Sequence, residues 1–330
     1  MDQNTTTINN LSPGHLDAFI QTVNRIISTD HARDTFAQIV NGKPAFDTDY
    51  DSKTGRSLPH PIRLSGPSEE DIEVAKLFQE RFKADVLEVK SSLVQAYQNT
   101  ALGSREFKIR LLEMAAVAFH NIAAVFFSSC EHDTQPKPDY DRPVTQPEFL
   151  KALGLPPPPP PPKWPTRLRH EEYAEYERNP LGIAGMVGYW AELKLFGGIV
   201  LFDRGESEQE ALDPYIHPRY PYMIYKLSDV QLDSFVDFAT SKDRSDPRPP
   251  LPIPFVTEKY ACRVDPEHAI EKHIFREKNE RRPLWMRYTD RSVHRRYVRE
   301  DYPDFLDFLE RKKKEEEEGR GGIVYLPYHH

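Results

Sequence analysis

Two carboxylates and a histidine in the second half of the chain have spacing that acid–base chemistry could use. Glu192 lies in Gly188-Tyr189-Trp190-Ala191-Glu192, and Asp203 closes the aliphatic run from Ile199. Between them stands the pair Gly197-Gly198. If that pair is a two-residue hairpin turn, Phe196 opposes Ile199, Leu193 opposes Phe202 and Glu192 faces Asp203. Like charges directly opposite are destabilising. Either the register differs, or the two carboxylates share a site with one pKa raised, as in an acid–base dyad. His217, in Tyr215-Ile216-His217-Pro218, is the third candidate. The preferred reading gives these residues ordinary structural roles, with Glu192 and Asp203 apart or paired to Lys194 and Arg204.

Other constellations are weaker. Asp47-Thr48-Asp49-Tyr50-Asp51 opens like a calcium loop, but Ser52 and Leu58 stand where that loop needs glycine and glutamate. His268 and His273 are five apart and do not share a helix face, and His120 lies among polar positions of its helix. Gly182, Gly185 and Gly188 do not form a phosphate-binding pattern. No metal or cofactor is expected. Residues 272–299 carry ten Lys/Arg against three acids, interleaved with Trp285, Tyr288 and Tyr297. Arg281, Arg282, Arg287, Arg295 and Arg296 are the candidates for nucleic-acid contact. The acidic stretch 300–318 follows at once, so pairing within the chain is the simpler account. A net charge of −8 also argues against a general polyanion binder.

The clearest partner-binding physics belongs to Pro156, Pro157, Pro158, Pro159, Pro160, Pro161 and Pro162. Each proline fixes φ and lacks an N–H, so neither a helix nor an interior strand can hold the run. A polyproline II rod of about 20 Å is the expected form. As a ligand it fits the aromatic grooves of profilin, SH3 or WW modules, with Lys163 and Trp164 adding flanking contacts. As a spacer it only holds two domains apart, and that is the preferred reading.

Around these residues the chain reads as two halves. Residues 1–130 hold 5 of the 30 prolines and look helical, whereas residues 131–266 hold 22. Ser12-Pro13-Gly14 opens a helix with Leu16, Phe19, Ile20, Val23, Ile26 and Ile27 on one face. A short helix over 34–40 stops at Asn41-Gly42. Ser68 caps a long helix whose apolar positions run at a period near 3.67 from Ala75 to Tyr97. A wide apolar stripe predicts a partner helix over 104–128, antiparallel to it across Ala101-Leu102-Gly103. Residues 131–165 are a proline-rich linker, and 167–178 form a short charged helix. Two strands around Gly197-Gly198, a third over 222–227 and a helix capped by Ser228 and Gln231 make a β-β-β-α core over about 183–241. Further helices start at Asp265-Pro266 and near Tyr302.

The segment Gly188-Tyr189-Trp190-Ala191-Glu192, then Gly197, Gly198 and Ile199 through Arg204, resembles a protein family of filamentous fungi without an established activity. The resemblance covers about a third of the chain and implies lineage only. The fold expected is α+β: a helical domain over 1–130, the linker 131–165, and a small α+β domain over 166–330 with charged helical extensions. Two cysteines, Cys130 and Cys262, without C-x-x-C spacing suggest a reducing compartment. The N-terminus lacks a signal peptide's apolar core, and the apolar stretch 114–127 is too short for a span. The function expected is that of a soluble, cytoplasmic, non-catalytic interaction or accessory protein, with the nucleus also compatible. The alternatives are an enzyme using Glu192 and Asp203, and a nucleic-acid binder through 272–299.

Overall fold

Helix starts are written plainly in the first 130 residues. Pro13 sits at the first turn of α1 (Pro13–Ile27), and Thr29 Oγ1 accepts from Ala32 N to open α2 (Asp30–Asn41). Gly42, at φ +71°, closes α2 in the left-handed conformation that glycine adopts without strain. Ser68 and Asp71 form a reciprocal capping box at α3 (Glu69–Arg81). These elements belong to a computed structural model that describes residues 5–45, 66–135, 137–138, 163–219, 223–241, 251–278, 280–281 and 314.

The long helix expected over 68–97 is broken. It stops at Phe82, followed by a 3-10 turn (Ala84–Val86), strand β2 (Glu88–Lys90) and a short α4 (Ser91–Gln98). Strand β2 pairs antiparallel with β1 (Thr5–Thr7), with Thr6 opposite Val89. That long-range ladder overrides the helical spacing, and Val86 is left exposed. The partner helix forms as expected. α5 (Arg105–Ser129) starts at Ser104, whose hydroxyl accepts from Phe107 N, and it is buried on nearly every side.

The second half departs further from expectation. The run from Gly182 to Phe196 is helix α6 (Gly182–Phe196), not the first strand of a hairpin. Gly197 is its left-handed C-cap at φ +84°, and the chain turns there into β5 (Ile199–Asp203). β6 (Pro214–His217) and β7 (Ile224–Lys226) follow, and the expected capping box opens α7 (Asp229–Thr240). The β-β-β-α block is therefore α-β-β-β-α. β8 (Arg263–Val264) and β9 (Ile274–Phe275) complete a five-stranded antiparallel sheet in the order β8-β7-β6-β5-β9. The helix expected over 167–178 is one 3-10 turn (Glu171–Tyr173), and the segment after Asp265 forms turns before β9. Of the helix expected from near Tyr302 only Lys314 is among the described residues, and the seven-proline run lies outside them.

Alternation along the strands gives each face of the sheet its own cover. Val200, Phe202, Ile216 and Tyr225 face the helices, in an apolar cluster that also takes in Phe19, Phe36, Phe119, Trp190 and Phe235. Ile199, Leu201, Tyr215 and Ile224 face the other way, under Tyr173, Tyr189 and Ala269. The first cluster runs without a break from Ile8 to Phe255, and the Phe119 and Phe196 rings meet edge to face at 6.2 Å. The core thus does not divide at the boundary expected between residues 130 and 166. The fold is α+β, built around α5 packed on α6.

The spacer geometry also changes. A short strand β3 (Lys137–Pro138) pairs antiparallel with β4 (Lys163–Trp164), placing Lys137 opposite Trp164 and Pro138 opposite Lys163. The described residues on the two sides of the segment 139–162 thus meet at one place.

Gly197 tests the turn that replaces the hairpin. A Cβ there would lie 2.5 Å from the Phe255 carbonyl oxygen, and Phe255 N donates to Phe196 O at 2.9 Å. Gly197→Ala is expected to destabilise the fold by about 2 kcal/mol or more, from left-handed strain plus a backbone clash. Urea unfolding of the purified chain measures it, and an unchanged midpoint would remove the turn from the account.

Candidate functional site

Helix α6 is apolar on all sides, so a charged residue inside it needs partners. Glu192 is fully buried, and both carboxylate oxygens are engaged. Oε1 lies 2.8 Å from Nδ1 of His120 on α5, and Oε2 accepts from Nη1 of Arg276, just after β9, at 2.7 Å. Arg276 continues the chain of contacts. Its backbone N donates to Glu280 Oε1 at 3.0 Å, and its guanidinium lies over the Tyr189 ring, 5.1 Å from the centroid. Tyr189 packs edge-on against His120 at 4.4 Å and beside Tyr173 at 4.9 Å, and Tyr173 Oη meets His217 Nδ1 at 3.0 Å. His120, Glu192, Arg276, Tyr189, Tyr173 and His217 thus form one buried polar and aromatic chain joining α5, α6, β6 and the segment just after β9.

Gly188 lets it close. A Cβ at Gly188 would lie 2.8 Å from the His120 ring, so the imidazole occupies space that only glycine leaves. Burial pushes the His120 imidazole below its usual value, against the pull of Glu192. Burial likewise pushes the Glu280 carboxyl up, although Arg276 opposes it. It also holds the Tyr173 and Tyr189 phenols well above the usual range.

The alternative reading, an acid–base dyad, does not form by the route it required, because its hairpin premise fails. Glu192 projects from a helix toward His120 and Arg276. Asp203 ends β5, where its Oδ1 accepts from Gly205 N at 2.9 Å. Glu192 is not paired with Lys194, nor does Asp203 bond Arg204, whose guanidinium binds the buried Glu113 at 2.7 Å and the carbonyls of Glu210, Phe275 and Arg276. His217 does join the Glu192 chain, but through Tyr173 and Tyr189 rather than directly. His120, expected at a polar position, is buried. The signal that could have found it is an imidazole within the apolar stretch 114–127, facing a glycine on a neighbouring helix.

Of the basic candidates, Arg281 is buried and its Nη1 donates to the Pro266 carbonyl at 3.1 Å. Arg276 is inside the Glu192 cluster, and Lys278 pairs with Glu208. These members do not share an exposed basic face. Arg282, Arg287, Arg295 and Arg296 lie outside the described residues, as do the calcium-like loop and Pro156 through Pro162. Trp164 is half-buried, with Arg169 5.3 Å from the centroid of its ring.

An open hollow of about 270 Å³ lies near the start of α7, lined by Arg105, Lys226, Ser228, Asp229, Glu258, Tyr260 and Cys262. Its cations are engaged: Arg105 with Asp213 and Asp229, and Lys226 with Asp213. Burial alone would raise the Asp213 carboxyl, but Lys226 and Arg105 together hold it below the usual range. Among the described residues, no group of three or more His, Cys, Asp or Glu side chains could hold a metal ion. In comparisons with known proteins, no family model, curated protein or solved structure matches this chain.

Removing Glu192 leaves Arg276 charged and buried without its anion. Glu192→Ala is expected to cost about 3–5 kcal/mol of folding stability, the range for breaking a buried pair by deleting one partner. Adding Arg276→Met should recover part of that loss, read from denaturant midpoints of the single and double variants. His120 adds a pH dependence. Its folded pKa is depressed, so the unfolded chain takes up the proton first. Its contribution is complete above the ordinary imidazole value of about 6.5 and is lost as the pH falls below it. Stability measured against urea should therefore drop on acidification, and His120→Gln should flatten that slope.

Proposed function

We propose that this chain is a non-catalytic interaction or accessory protein that works through its proline-rich segment. The observation that carries the reading is the pairing of β3 with β4, which brings the two ends of residues 139–162 together on one folded body. A run of seven prolines in a segment tethered at both ends has no ladder or helix to join. A preformed polyproline II shape also loses little entropy when it docks in an aromatic groove. The partner is a polyproline-recognising module of the profilin, SH3 or WW type. Trp164, at the base of the segment, supplies a flanking aromatic.

The buried polar residues support a structural rather than catalytic use of Glu192, since both its oxygens are already engaged by His120 and Arg276. The compartment proposed is the cytoplasm, with the nucleus also compatible. α5 is long and apolar enough to cross a membrane, but 78% of its most apolar window is buried inside the protein, which makes it a core helix. The lineage proposed is the filamentous-fungal family that the segment Gly188–Arg204 resembles.

The test is direct binding of the full chain to purified profilin and to representative SH3 and WW domains. It is repeated with Pro156 through Pro162 replaced by a Gly/Ser stretch of equal length. At least one module class should bind the native chain and lose affinity by about tenfold or more with the replacement, or about 1.4 kcal/mol. Binding that survives the replacement, or no binding by any of the three classes, rejects the reading.

A further inference from the structure

Ile274 and Phe275 of β9 are buried in the apolar core, whereas the segment from Arg276 to Arg281 is held to the body mainly by polar contacts. β9 is two residues long and lies at the edge of the sheet, paired only through Phe202–Phe275 and Asp203–Ile274. Beyond it, Arg276 reaches into the core to Glu192, Glu277 pairs with Lys90, Lys278 pairs with Glu208, and Arg281 donates to Pro266 O. Arg204 Nη2 also donates to the Arg276 carbonyl at 3.0 Å, and both this bond and that of Arg281 are buried. The Arg276–Glu192 pair, with side-chain exposures of 5% and 0%, is the buried ion pair from this segment to the body.

Glu192 has two cations competing for it. Arg276 holds Oε2 permanently, because a guanidinium does not lose its proton in the accessible pH range. His120 holds Oε1 at 2.8 Å, and its charge is conditional. While the imidazole is neutral, Arg276 is the only cation on the carboxylate among the described residues. Once the imidazole is charged, Glu192 is neutralised from α5, and Arg276 faces a like charge across the same carboxyl group.

We infer that protonation of His120 undocks the segment Arg276–Arg281 from α6, making the β9 end of the body an acid-sensitive latch. The groups that face His120 account for the direction. α5 carries no other ionisable side chain within a turn of it. α6 brings Glu192 and Tyr189, and the latch segment brings Arg276 and Glu280. Tyr173 stands behind Tyr189, with His170 and His217 beside it. Both phenols stay neutral throughout, and Arg276 stays charged. Glu280 gains a proton on acidification, which weakens its hold on the Arg276 backbone N–H and acts in the same direction. It sits within the latch segment rather than in the body, so its part is separable from that of His120.

Hydrogen exchange read by mass spectrometry on the full chain tests the latch. It is run at about pH 7.5 and at a pH below the His120 midpoint read from its imidazole resonances, with rates normalised for intrinsic exchange. Protection of backbone amides over 274–281 should fall by about tenfold or more at the lower pH, while amides at the centre of α5 keep theirs. In His120→Gln, which cannot charge, the fall over 274–281 should be clearly smaller than in the native chain, what remains being the part of Glu280. No fall in the native chain, or an equal fall in the variant, overturns the inference. A second reading does not depend on how well that variant packs. Coupling between the two cations is reciprocal, so Arg276→Gln should move the His120 titration midpoint upward, followed by its imidazole resonances. An unchanged midpoint would sink the latch even if the segment opened for another reason.

Discussion

Helix α5 sets the terms for the rest of the molecule. It spans 25 residues, about 37 Å at 1.5 Å per residue, and its apolar side chains point in nearly every direction. Such a helix cannot lie on a surface; it has to be wrapped. α1, α4 and α7 cover parts of it, and α6 packs along it through the Phe119–Phe196 and His120–Tyr189 ring contacts. Each large apolar side chain so buried contributes roughly 1.5–3 kcal/mol. No other element offers a comparable surface, and the sheet is assembled on the far side of this helical layer.

That constraint explains why the second half looked like strands. α6 is hydrophobic all round because it is enclosed by α5 on one side and the sheet on the other. A helix buried on every face has no 3.6-residue alternation to display, and a short apolar run is equally consistent with a strand. Gly197-Gly198 then carries two meanings. A left-handed glycine ends a helix as readily as it turns a hairpin, and only the approach of the Phe255 carbonyl shows which is realised. Where burial is one-sided, as on α1, α2 and α7, spacing and caps were legible. The opposite failure, over 68–97, came from spacing that matched a helix by coincidence. Phe82-Lys83-Ala84-Asp85 contains neither glycine nor proline, and the break follows from Glu88–Lys90 pairing with Thr5–Thr7, a contact some eighty residues away that no local signal announces.

The candidate site was legible in type but not in membership. Glu192 and His217 stood out as polar residues in apolar runs, and both belong to the buried chain. Asp203 had the same standing in sequence and does not belong. His120 and Arg276 supply the partners, from positions 72 residues before Glu192 and 84 after it. A buried carboxylate announces that it has partners, because leaving it unpaired is too costly; it does not announce which they are. Topology chooses them here, since β5 carries β9 on one edge and so delivers the start of the latch segment to the same end of α6 that meets α5.

A buried cluster of this kind is weak support for stability, because desolvating two ions offsets most of their attraction, and an apolar replacement often does as well. What an apolar replacement cannot do is choose one arrangement among several of similar apolar content. An apolar side chain in place of Arg276 could settle against many parts of the sheet edge. A guanidinium that must find Glu192, beneath a Tyr189 ring and beside a histidine seated on Gly188, has one place to go. The cluster therefore fixes the segment that follows β9, as the β3–β4 pair fixes Lys137–Pro138 against Lys163–Trp164. The prolines divide the sequence into two halves, but among the described residues one apolar cluster takes side chains from both.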